Sequence, residues 1–306
     1  MVKLVEDIID IQGIPTRLLR GGSSQAQTVL FLHGGTPGVT PYCSGTHIWG
    51  DATLSAFAGE RQVVVPDLPG SGATPVLGDK TMTLDAIAGH VSALLDTLKL
   101  DGVHLVGHDI GGLMALVLAM EKPARLASVS IVGSGLSAPL GDGLDDIVFL
   151  NPPEPRWSRL SQGWALDRIS HSQAGLDDGL LDACVASAAG APHRAALATM
   201  AGDGHARIFA PSVTRAKFRL WEIARGQGLQ VPVQLVWGNE DPTTSRERGT
   251  VLFDTLAKKQ TATHFHIVNR AGNLVFRDQP ETFHQIVAAF QDGVVAEKRR
   301  AAGAKQ

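Results

Sequence analysis

Val106-Gly107-His108-Asp109-Ile110-Gly111-Gly112 joins an apolar, β-branched run (Val103 to Val106) to a helix-coding run (Leu113 to Met120). One acid, Asp109, stands between glycines at the junction. Glycines on both sides of a reactive side chain are needed when the backbone turns so sharply that a Cβ would clash. The stretch therefore reads as a strand, a tight turn presenting a carboxylate, and a helix whose N-terminal dipole favours the ionised form of that carboxylate.

Working outward, Leu4 to Ile11 and Pro15 to Leu19 meet at Gln12-Gly13 and read as a hairpin. Thr28–Leu32, Gln62–Pro66 and Val103–Gly107 are continuous apolar runs without polar alternation, the pattern of parallel strands covered on both faces. Ala127–Val132, Val233–Trp237 and Thr263–Val268 add three more strands. Helix-period segments lie at Thr83 to Leu98, Leu113 to Glu121 and Glu281–Phe290. Strands alternating with helices give an α/β fold built on a mostly parallel, doubly wound sheet. The stretch from 136 to 228 breaks the rhythm, with Asn151-Pro-Pro-Glu-Pro155 and helix-like pieces but no strong strand. It is too long for a structureless loop and reads as an inserted helical lid. The expected organisation is a core of 1–135 and 229–295, a lid of 136–228, and a flexible basic tail over 296–306.

Glycine-rich and acidic turns follow several of these strands. His33-Gly34-Gly35 comes after the first parallel strand, and Asp67-Leu68-Pro69-Gly70-Ser71-Gly72 after the next. Trp237-Gly238-Asn239-Glu240-Asp241 follows a later one. Arg270-Ala271-Gly272-Asn273 and Gln279-Pro280-Glu281-Thr282-Phe283 come last. In this order, over nearly the whole chain, they resemble the α/β-hydrolase superfamily. Residues 107–111 match its nucleophile elbow, G-x-Nu-x-G. The resemblance implies the α/β-hydrolase fold, Asp109 as nucleophile, Asp241 as the acid that orients a catalytic histidine, and an oxyanion hole from the N–H groups of Gly35 and Ile110. Such a hole is worth about 3–4 kcal/mol of transition-state stabilisation.

The chain departs from the family at Asn273, which stands where its A-G-H motif has histidine. An amide donates and accepts hydrogen bonds but cannot take a proton. If Asp109 formed an ester with substrate, the water-activating step would lack its base. His33 is expected to brace the oxyanion loop and His108 to pack beneath the elbow. His264 and His266 share one strand face, back from its C-terminal end. His171, His193 and His205 fall in the lid. Two carboxylates, Asp109 and Asp241, sharing one dry pocket would repel each other and raise one pKa; the alternative reading of Asp241 is a cap before Pro242-Thr243-Thr244.

Subfamily features differ. Epoxide hydrolases resemble the chain at the aspartate elbow but use lid tyrosines, and the one tyrosine here, Tyr42, comes far before the lid. Haloalkane dehalogenases use tryptophan after the aspartate and asparagine after HG; here those positions are Ile110 and Gly35. The loop His33-Gly-Gly-Thr-Pro-Gly38 resembles that of hydrolases cleaving carbon–carbon bonds in ring-fission products of aromatic catabolism. Trp157, Trp164 and Trp221 suit an apolar or aromatic ligand, with His33, Gly34 and His108 alongside, and Arg156, Arg159, Arg168 or Arg194 could hold a substrate carboxylate.

The bulk numbers agree with a globular enzyme. Among 306 residues, 44% are hydrophobic and 19% charged, and the net charge is −3. That charge gives no reason to expect nucleic acid or an anionic membrane. Two cysteines, Cys43 and Cys184, are too few for a disulfide framework or a Cys-rich metal site. No apolar run approaches the roughly 18 residues of a membrane span, and no signal peptide is read at the N-terminus. A cytoplasmic protein is expected, monomer or homodimer, with a small organic substrate and neither cofactor nor metal. Three functions remain open: hydrolysis through Asp109 with an atypical triad; a lyase, isomerase or cyclase reaction with Asp109 as base and Asn273 positioning substrate; or ligand binding without catalysis.

Overall fold

A computed structural model describes residues 2–78, 82–138, 149–260 and 262–304. Residues 139–148 of the expected lid and the last two of the expected tail lie outside them. Eight strands form one sheet: β1 (Val5–Ile11), β2 (Ile14–Gly21), β3 (Thr28–Leu32), β4 (Gln62–Pro66), β5 (Val103–His108), β6 (Leu126–Val132), β7 (Val233–Gly238) and β8 (Thr263–Val268). Their order is β1-β2-β4-β3-β5-β6-β7-β8. The hairpin β1–β2 and the β2–β4 pair are antiparallel, and every pair from β4 to β8 is parallel. The hairpin turns on Gln12 and Gly13, both at positive φ (54° and 85°), as a two-residue turn matched to strand twist requires.

Every residue of β3, β5, β6 and β7 is buried. This is why those strands read as unbroken apolar runs. Alternate side chains serve two cores. Leu30, Leu32, Leu105, Ile131 and Leu235 enter a cluster with α2 (Leu84–Thr97), α3 (Ile110–Glu121) and two later helices. Phe31, Val106, Val132 and Val236 enter the opposite one with α1 (Asp51–Ala58) and the C-terminal helices. Thr83 caps α2 by accepting from the Ala86 N–H at 3.1 Å.

Between β6 and β7 the described chain is helical: α4 (Arg159–Ile169), α5 (Asp178–Ala189), α6 (Ala191–Met200), a π-helical turn (Gly204–Phe209) and α7 (Ala210–Gly226). Helix α7 packs against α2, α3 and α8 (Arg246–Ala257), burying Val213, Ala216, Leu220 and Ala224 in the first core. After β8 come a short turn of helix, α9 (Val275–Asp278), and α10 (Pro280–Gly303). The tail expected to be flexible from 296 is helical as far as Gly303, because Ala296-Glu-Lys-Arg-Arg-Ala-Ala302 are strong helix formers continuing a long helix. No helix among the described residues is long and apolar enough to cross a membrane.

Candidate active site

Asp109 is the single residue between β5 and α3, with φ 47° and ψ −115°. A non-glycine residue held there costs on the order of 1–3 kcal/mol. The turn is enforced by close packing: a Cβ on Gly111 would come within 2.1 Å of the Leu32 carbonyl oxygen. Asp109 N–H donates to Val132 O at 3.1 Å, and Asp109 O accepts from Ser134 Oγ at 2.5 Å, so the main chain is pinned to β6. The side chain is half-buried. It makes no capping bond to α3; its Oδ2 accepts the Gly35 N–H at 3.1 Å.

One of the two expected oxyanion donors is thus engaged by Asp109 itself. The other, the N–H of Ile110, is the first of α3 and belongs to the four donors a helix leaves without an internal partner. Gly34 packs on the elbow, where a Cβ would lie 2.4 Å from His108 Nδ1 and 2.8 Å from the Asp109 Cβ.

Neither His33 nor His108 is a pocket residue. Both are fully buried. His33 donates from Nδ1 to Gly34 O at 2.8 Å and accepts the Leu68 N–H on Nε2 at 2.9 Å. Burial lowers its pKa to about 4, so a neutral ring braces the loop. His108 lies edge-on to Trp49 and Phe276, and burial lowers its pKa. Its Nε2 pairs with Asn273 Oδ1 at 2.6 Å, while Nδ1 has no partner.

Asn273 is 5% exposed and its amide is held on both ends. Nδ2 donates to Asp241 Oδ2 at 2.8 Å and to Gly133 O at 2.9 Å. With both donors used, Oδ1 must be the acceptor, and His108 Nε2 carries the proton. Asp241 accepts on Oδ1 from the N–H groups of Thr243 (3.0 Å) and Thr244 (2.9 Å) and from Thr243 Oγ1 (3.0 Å). The cap expected over Thr243-Thr244 is therefore an Asx-type turn, well before α8 begins. Burial raises the Asp241 pKa to about 6 against these donors. Desolvation, rather than the expected repulsion between two carboxylates, is the first cause of this rise.

Asp109 and Asn273 line one cavity of about 250 Å³. Its apolar wall is Val39, Tyr42, Leu136, Phe149, Leu150 and Ile169, and Thr36, His205 and Arg248 add polar groups. Among its described lining residues Arg248 is the only lysine or arginine; Nη1 donates to Thr243 O at 2.9 Å.

The three tryptophans are not part of this lining. Trp157 packs on His193, with Arg156 over its ring. Trp164 packs against the second core under Arg168, and Trp221 against the first under Lys217. Spacing alone does not say which face of a helix meets a cavity. Arg159 pairs with Asp178 and Asp182, and Arg194 bonds Ala189 O. His264 and His266 stack on one another in a separate groove beside α10.

Tyr42, His205 and Arg248 reach the cavity from three distant stretches; the sequence places His205 only within the 136–228 stretch and gives Tyr42 and Arg248 no role in a site. Among the described residues no group of three or more His, Cys, Asp or Glu is assembled as a metal site.

The alpha/beta hydrolase fold family model matches residues 27–178. The chain is 32% identical over 157 residues to 2-hydroxymuconate semialdehyde hydrolase of Pseudomonas sp. (strain CF600), covering 51% of the chain and 53% of that protein. It thus spans about half the length of that relative. It is 24% identical over 282 residues to 2-hydroxy-6-oxo-6-phenylhexa-2,4-dienoate hydrolase of Burkholderia cepacia, covering 90% and 91%. The meta-cleavage product hydrolase from Pseudomonas fluorescens IP01 superposes with a TM-score of 0.74 at 20% identity, covering 94% of this chain and 97% of that one.

Proposed function

We propose that the chain is an α/β-hydrolase-superfamily enzyme acting on a small, enolisable ring-fission-type molecule, with Asp109 as general base. One observation carries the reading. Asp109 faces a cavity that also holds Asn273, whose amide is saturated by Asp241, Gly133 and His108. A carboxylate is on hand to take a substrate proton, while the residue in the place of the family's water-activating base can neither take a proton nor turn toward substrate. Proton transfer within one substrate needs no second base. Asn273 then acts by fixing the floor of the site rather than by binding substrate.

The substrate class comes from the relatives. The compound named for the Burkholderia cepacia enzyme is a dienol conjugated to a ketone. It can isomerise by losing a proton from oxygen and gaining one on carbon. The apolar wall suits its body, and Arg248 puts a positive charge at the cavity wall for its carboxylate.

Hydrolytic carbon–carbon cleavage is the second reading, favoured by the names these relatives carry. On it Asp109 would be the nucleophile and His205, half-buried on the cavity wall, the group nearest to a base role.

Incubating this dienol acid with the protein in D2O, and separately in ¹⁸O-labelled water, tests both. The first reading gives an intact keto isomer with one carbon-bound deuterium. Two fragments, one carrying ¹⁸O, would replace it with the second. No conversion would overturn both.

A further inference from the structure

We propose that the Tyr42 hydroxyl is the donor that receives the developing enolate oxygen of the substrate, in place of the Gly35 N–H. The inference rests on the proton-transfer reading. Removing the hydroxyl proton of such a dienol spreads negative charge through the conjugated system onto the ketone oxygen, and that charge needs a donor aimed at it in a site sheltered from water. In this fold the loop after β3 would provide one. Here the Gly35 N–H is bonded to Asp109 Oδ2 at 3.1 Å, so the base occupies the hole. A second anion placed there would meet the carboxylate head-on.

Tyr42 is suited to take over. It stands on the same loop, seven residues after Gly35, and lines the cavity that contains Asp109. Only 4% of it is exposed. Its ring leans on Phe149 at 6.4 Å between centroids, and no hydrogen bond from its hydroxyl to a described residue is formed. Burial first, then the charge of Asp109, pushes its pKa well above the ordinary tyrosine value. The phenol therefore stays protonated and donates a hydrogen bond without giving up its proton. Tyr42 and Asp109 line the same cavity of about 250 Å³, as a base and an electrophile acting on one small substrate must.

The step balances without an added reactant. The Asp109 carboxylate takes the substrate proton, and the electron pair moves through the conjugated system to an oxygen held by Tyr42 O–H. Asp109 or solvent then returns a proton to carbon. No bond to Tyr42 forms or breaks.

The test is Tyr42→Phe, which removes one oxygen and keeps the ring against Phe149, compared with Asp109→Asn on the dienol acid named above. Y42F should lower kcat about 100-fold, within the range for losing one oxyanion donor. KM and the melting temperature should stay close to the parent values, since the hydroxyl holds nothing in the fold. Naphthols of increasing acidity, which mimic the enolate, should lose affinity in Y42F more steeply for the more basic naphtholates. A Y42F enzyme within twofold of the parent in kcat, while D109N is inactive, would overturn the role of Tyr42 and leave the reading of Asp109 standing. A D109N enzyme that still turns over, or a parent enzyme that does not, would overturn both.

Discussion

Asn273 Nδ2 lies 2.8 Å from Asp241 Oδ2, so the family's acid-to-histidine hydrogen bond is kept in form while the proton acceptor is gone. The amide reaches on to His108 at its other end and ties the loops after β6, β7 and β8 to the floor of the elbow. Position 273 is a structural clamp, and its replacement should show in stability first. Asn273→Ala leaves the Asp241 carboxylate, Gly133 O and His108 Nε2 without their partner. At about 1–3 kcal/mol per buried unsatisfied group, urea denaturation should report a loss of about 3 kcal/mol or more. A loss under 1 kcal/mol would mean that water replaces the amide without cost.

Asn273→His would place an imidazole between Asp241 and the cavity. It should raise hydrolysis of simple aryl esters above the parent's background, most clearly when combined with Asp109→Ser. Ester release followed by absorbance checks this. No gain in the double variant would mean that more than these two residues separates the site from a hydrolytic one.

Asp109→Asn keeps the shape of the side chain and removes the proposed base. Turnover should fall by about 10²–10⁴-fold, the contribution of a positioned base. The melting temperature should hold, because the amide keeps the carboxylate's shape and its oxygen can still accept the Gly35 N–H. Calorimetry beside kinetics separates these effects.

The pH dependence of stability follows from Asp241. Its folded pKa, about 6, lies above the unfolded carboxylate value of about 3.9. The native state holds this proton more tightly, so the contribution is fully present below pH 4 and is lost as pH rises through 6. Two units correspond to about 3 kcal/mol. Asp241→Asn should flatten this descent between pH 4 and 6 in urea titrations, although its baseline falls because an NH2 group would then face the Asn273 Nδ2 donor. An unchanged slope would place the titration elsewhere.

Lys217 has the opposite sign. Burial, and the nearby charge of Arg248, bring its pKa down to about 8, below the ordinary lysine value. Its contribution to stability therefore grows as pH rises from about 8 toward 10. Lys217→Met should raise the melting temperature more at pH 7 than at pH 10, even though the bond from Nζ to Ala138 O (2.6 Å) is lost. An equal effect at both pH values would show that this bond, and not the buried charge, governs the site.

The sheet was legible because its strands are buried on both faces. Thr28–Leu32, Gln62–Pro66 and Thr263–Val268 have the same bounds in sequence and structure. The elbow was legible because Asp109 sits among residues with no room for a Cβ. Tyr42, His205 and Arg248 were not, because their meeting depends on how a loop, a π-helical turn and the start of α8 converge, which leaves no local pattern. The tryptophans misled for a related reason: an amphipathic ring is equally at home on a core or at a cavity, and only packing decides. The tail misled because composition was weighed there ahead of helix propensity.

A carboxylate lodged against the Gly35 N–H also affects how this protein would be found. Fluorophosphonates and boronic acids capture relatives of this fold by offering an electrophile to a serine and an oxygen to its hole. At its elbow this site presents a carboxylate in place of a hydroxyl, with the Gly35 N–H already engaged, to such reagents. Surveys that inventory hydrolases by covalent tagging should pass over it, whatever it turns over in the cell.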